Sequence, residues 1–85
     1  MGKRIGIVAI IIEDKESVPE ANSILSEYAS IIIGRMGIPY KEKHVNVISI
    51  IVDGTTDEIG ALSGKLGNLT GVTAKTVLAK ENQGR

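Results

Sequence analysis

The heptapeptide Gly60-Ala61-Leu62-Ser63-Gly64-Lys65-Leu66 carries a Gly-Lys pair downstream of a strand-like run that ends at Val52, the order found in phosphate-binding loops. Such a loop needs four residues between its glycines and a Ser or Thr after the lysine. Here three residues intervene and Leu66 follows Lys65. The surrounding leucines also have helical spacing, which would leave the local amides bonded within a helix, so no nucleotide is expected here. His44 is the only histidine, Glu42 is the acid nearest to it, and there is no cysteine. One imidazole with scattered carboxylates does not supply the three or four convergent ligands of a transition-metal site, and no metal or other cofactor is expected. Glu13, Asp14, Glu16 and Glu20 lie close together in the chain, where acids favour the start of a helix. No nucleophile, base and orienting group can be assembled from these residues, so catalysis is not expected.

Two places remain for binding. Asp14, Lys15 and Ser17 sit where a first strand would hand over to a helix, whose free amides favour an anionic group. Arg35, in "GRMG", is the only charge between Ser30 and Tyr40. These four are the candidate ligand residues.

The elements that would position them follow from periodicity. Residues 4–13, "RIGIVAIIIE", are rich in β-branched side chains and read as a strand. Ser17 and Glu20 have the spacing of a capping box, and Val18, Ala21, Leu25 and Tyr28 then form one helical stripe, predicting a helix over 18–29. Residues 31–33 return to strand character, and 34–43, with two glycines and a proline, read as a turn or short loop. A strand over 45–52 follows. Thr55 and Glu58 offer a second capping box, with Ile59, Leu62, Leu66 and Leu69 as its stripe. Gly71 breaks that pattern, residues 72–78 read as a last strand, and residues 80–85 as a frayed tail. The order βαββαβ, joined by right-handed crossovers, gives one α+β domain over 1–85. Its expected fold is ferredoxin-like, a four-stranded antiparallel sheet with both helices on one face.

The strand faces carry a further inference. In the first strand Ile5, Ile7, Ala9 and Ile11 alternate with Val8, Ile10 and Ile12; in the third, Val47 and Ile51 alternate with Ile48, Ile50 and Val52. Both faces are aliphatic and two helices can cover only one, so association of copies through the sheet is expected. Ile10 and Ile50 are the candidate interface positions. Projected at 100° per residue, Gly60, Gly64 and Gly67 fall away from the leucine stripe, and Gly60 and Gly64 are candidates for close contact with another backbone. Gly67 could in addition cap the helix in the left-handed conformation.

Composition bounds the rest. Eighty-five residues with ten basic and ten acidic side chains lack the basic excess of a nucleic-acid binder. The apolar run from Ile5 to Ile12 is too short to span a bilayer, and the absence of cysteine is compatible with a reducing, cytoplasmic setting.

The opening "RIGIVAIIIEDKES", the central "IIIGRMGIPY" and the closing "DEIGALSGKLGNLTGVTAKTV" together resemble the small regulators of the iron-only hydrogenase system, over nearly the whole chain. That resemblance implies a fold related to ACT domains and to the C-terminal domain of the nickel-responsive regulator. It also implies a non-enzymatic, oligomeric module, dimer or tetramer, that senses a small ligand or a partner such as a hydrogenase-maturation protein. A ligand-free assembly or maturation factor is the alternative. The departures are specific: "KESVP" replaces the glycine-bearing turn of ACT domains, and only His44 stands near the histidines and cysteine of the nickel sensors. No ribbon-helix-helix arm is expected before the first strand.

Overall fold

The computed structural model describes residues 2–80, so the expected tail over 80–85 lies, beyond Lys80, outside the described residues. The elements are β1 (Arg4–Ile12), α1 (Val18–Glu27), β2 (Ile32–Tyr40), β3 (Val45–Gly54), α2 (Thr56–Gly67) and β4 (Val72–Leu78). Short 3₁₀ turns at Lys15–Ser17, Ala29–Ile31 and Lys41–Lys43 join some of them. The strands form one antiparallel sheet in the order β2-β3-β1-β4. This is the ferredoxin-like α+β arrangement.

The even-numbered side chains of β1 and β3 point at the helices. Val8, Ile10, Ile50 and Val52 are fully buried there with Leu62 and Leu66 of α2 and Ala21 and Leu25 of α1. Burying each such aliphatic side chain stabilises the fold by about 1.5–3 kcal/mol. Ile10 and Ile50 are therefore core residues, which corrects their expected place at an interface. The face left uncovered is the odd one: Ile5, Ile7, Ile11, Val47 and Ile51 stay 40–46% exposed, and Met36, Ile38 and Val77 more so.

The segment 34–43 is mostly strand, contrary to its reading as a loop. β2 pairs with β3 from Ile32↔Val52 to Tyr40↔Val45 and is an edge strand, so Pro39 needs no donor on its outer side. One irregularity interrupts this ladder. Ile32 faces Val52 and Gly34 faces Ile51, so Ile33 is an extra residue, a β-bulge. Beyond it the parity of β2 is inverted: Arg35 pairs with Ile50, Gly37 with Ile48 and Pro39 with Asn46 on the helix side, while Met36 and Ile38 join the open face.

Helix ends divide into expected and unexpected. At α2 the Thr55 hydroxyl accepts from the Glu58 amide (3.1 Å), and the Glu58 carboxylate accepts from the Thr55 amide (2.9 Å), a complete capping box. Ser17 makes no cap bond to α1. Asn68, not Gly67, ends α2, and the left-handed glycine is Gly71 at φ 69°.

Candidate functional site

The β1–α1 connection is built from its own polar groups. The Asp14 carboxylate accepts from the Glu16 amide at 3.0 Å, closing the first 3₁₀ turn. The Ser17 hydroxyl, 3% exposed, donates to the Thr70 carbonyl at 2.6 Å. The Glu13 amide donates to the Gly71 carbonyl at 2.7 Å. Ser17 and the Glu13 amide thus hold the loop before α1 against the turn before β4, while Asp14 closes the loop on itself. Of the four expected ligand residues, the other two, Lys15 and Arg35, line adjoining pockets that share Pro39 and Asn46.

The cleft lies between the start of α1 and the β2–β3 hairpin and has two lobes. One, about 410 Å³, is lined by Val18 and Asn22 of α1 and by Arg35, Gly37, Ile38 and Ile48 of the sheet. The other, about 420 Å³, is lined by Lys15, Tyr40, Lys41, His44 and Val45. Pro39 and Asn46, which pair across the hairpin, belong to both lobes. Each lobe has the size of a small-molecule pocket.

Local chemistry explains the shape. The bulge at Ile33 turns Arg35 toward the helices, where its guanidinium donates to the Asn22 side-chain carbonyl at 2.8 Å. One of its five N–H groups is used there. Gly37 leaves the floor of the Arg35 lobe low; a Cβ at that position would meet Ile48 only at an ordinary 3.6 Å. The hairpin tip is closed by the His44 amide donating to the Lys41 carbonyl at 3.2 Å, with His44 in the left-handed region at φ 57°. Tyr40 donates to the Glu42 carboxylate at 2.9 Å, occupying the one acid of the tip.

Sequence reasoning missed Asn22, Lys41, His44 and Asn46 as members of this site. A hairpin that projects past β1, whose pairing ends at Ile12↔Asn46, is what gathers them. Among the described residues no three His, Asp or Glu side chains converge as metal ligands would, and no helix is long and apolar enough to cross a membrane.

The second candidate surface is the open sheet face. Of the paired residues that point to it, only Lys75, opposite Ala9, and Asp53, opposite Ile5, are charged. On the opposite layer, Gly60 and Gly64 have nothing of their own chain within 4 Å of an added Cβ.

Comparison with known proteins agrees with this architecture. A family model for TM1266-like proteins, described as "Iron-only hydrogenase system regulator, putative", matches residues 4–76. The structure of uncharacterized protein TM1266 from Thermotoga maritima superposes with a TM-score of 0.88 at 35% identity, covering 92% of this chain and 99% of that one. A "putative glycine cleavage system transcriptional repressor" shares the fold at a TM-score of 0.69 and 9% identity, covering 98% of this chain, which spans about half (49%) of that protein. No curated protein matches the chain. Motif, fold and coverage coincide: the chain belongs to the TM1266-like family.

Proposed function

We propose that the chain is a regulatory module that acts by binding, not by catalysis, and that it works as a homo-oligomer whose copies associate through the open face of the sheet. Membership in a family of hydrogenase-system regulators supports the regulatory part. The observation that carries the assembly is the aliphatic face of Ile5, Ile7, Ile11, Val47 and Ile51, uncovered on a domain too small to leave such a surface in water at no cost.

A second copy is the occupant that fits. The two charges on the face, Lys75 and Asp53, are opposite in sign. A two-fold axis lying between two such faces can bring Lys75 of one copy to Asp53 of the other, as a self-complementary interface requires. The assembled module then senses a small ligand or a partner such as a hydrogenase-maturation protein.

Light scattering coupled to gel filtration tests the assembly. The parent protein is expected to run as a dimer or tetramer, and Ile51→Lys as a folded monomer. Ile50→Ala, one residue away but in the core, is expected to lose about 2–5 kcal/mol of stability instead. A parent protein that is monomeric at micromolar concentration would overturn the reading.

A further inference from the structure

We propose that the cleft between α1 and the β2–β3 hairpin is a binding site for a small organic anion, one that carries clustered phosphate or carboxylate oxygens on an apolar body. The proposal deepens the reading of the chain as a ligand-sensing regulator and rests on it.

Charge distribution is the first argument. The protein has equal numbers of acidic and basic residues, yet Lys15, Arg35, Lys41 and His44 line the two lobes and no carboxylate lines either. Glu42, the nearest acid on the hairpin, is held by the Tyr40 hydroxyl. The lysines and the arginine, unopposed across adjoining pockets, raise the local concentration of anions, with His44 as a further hydrogen-bonding group.

The second argument is orientation. Arg35 reaches the cleft only because the bulge at Ile33 inverts the parity of β2, and Asn22 then holds its guanidinium from α1. A guanidinium fixed through one N–H presents its remaining donors as a fork suited to paired oxygens. The body of the ligand would lie on Pro39 and Val45, with Asn46 between the lobes as a neutral hydrogen-bonding group.

Backbone strain is the third. His44 holds a left-handed conformation that a glycine would adopt freely, and non-glycine residues kept in sparsely populated regions cluster at functional sites. His44→Gly therefore separates the two roles: relief of strain keeps the fold at least as stable, whereas loss of the imidazole weakens the site.

Titration calorimetry with pyrophosphate, AMP and citrate, against spermidine as a cation, tests the proposal. Binding of at least one of the three anions, and not of spermidine, is expected; the phosphate and carboxylate probes distinguish the two sources of anionic oxygens. Arg35→Gln and Lys15→Gln should each weaken that binding about tenfold or more, and His44→Gly should weaken it without lowering the melting temperature. Lys65→Gln, on α2 outside the cleft, should leave it unchanged. Absence of binding by all three anions, or an equal loss in Lys65→Gln and Arg35→Gln, would overturn the site. Light scattering on the same samples reports assembly separately, so an empty cleft on an intact oligomer refutes the site and not the assembly.

Discussion

Ser17 and Thr70 are 53 residues apart in sequence and joined by a 2.6 Å hydrogen bond, the Ser17 hydroxyl donating to the Thr70 carbonyl in a nearly water-free position. The contact fastens the entry of α1 to the turn that leads into β4. Ser17→Ala would remove the donor and leave a carbonyl short of its partner, at an expected cost of about 1–3 kcal/mol. Urea unfolding of the two proteins measures it. A loss within a few tenths of a kcal/mol would mean that water replaces the hydroxyl freely.

Gly71 stands on the other side of the same junction. Its φ of 69° strains any side chain, and the position of Asp14, whose Cβ would lie 2.7 Å from an added Cβ, leaves no room for one. Gly71→Ala is expected to cost at least ~2 kcal/mol, from strain and overlap together. The same unfolding experiment reads it, and a neutral result would show that the loop before α1 moves aside.

On α2 the expected sign is opposite. Nothing in the chain lies near an added Cβ at Gly60 or Gly64, and both are helical. Gly60→Ala and Gly64→Ala should each raise stability by about 0.4–1 kcal/mol. Thermal melts measure this, and an absent or negative gain at both would point to another backbone packed on this strip.

Lys65 links the two helices through a 2.9 Å ion pair with Glu27 and sits 5.1 Å from the centre of the Tyr28 ring. Hydrogen bonding to the Glu27 carboxylate, then to Tyr28, holds the ammonium above the ordinary lysine value of 10.5. A group whose value is raised on folding contributes stability below its unfolded value and loses it as pH climbs through the folded one. The stability difference between the parent and Lys65→Met should thus stay constant to about pH 10 and shrink above it. The pair is exposed, so the difference itself is small. Growth of the difference in alkali would contradict the assignment.

What could be read in advance was local. Thr55 and Glu58 form their capping box because both partners lie within one turn, and nothing distant competes for them. Ser17 and Glu20 have the same spacing, but the Ser17 backbone is already helical (φ −84°, ψ −8°) and its hydroxyl is aimed at the Thr70 carbonyl, a partner that only the folded chain brings near. The alternation in β1 and β3 reveals two aliphatic faces; which one the helices cover depends on long-range docking, so alternation alone does not place Ile10 and Ile50 in the core. β2 was hidden because Gly34, Gly37 and Pro39 are the punctuation of loops, tolerated here because an edge strand has one unpaired flank. Lys15 and Arg35 were legible as isolated charges. Their shared cleft was not, since it exists only where a hairpin overhangs a helix.

The bulge makes register a chemical variable at this edge. Were Ile33 to pair with Ile51 and continue the ladder regularly, the same side chains in the same order would be re-phased: Arg35 would fall opposite Ser49 on the open aliphatic face, and Met36 opposite Ile48 on the helix side. Deleting Ile33 would do the contrary, since Gly34 and Arg35 would keep Ile51 and Ile50 as partners without a bulge. The residue left over in the ladder is thus the one that lets the strand before it and the strand after it each keep its own face.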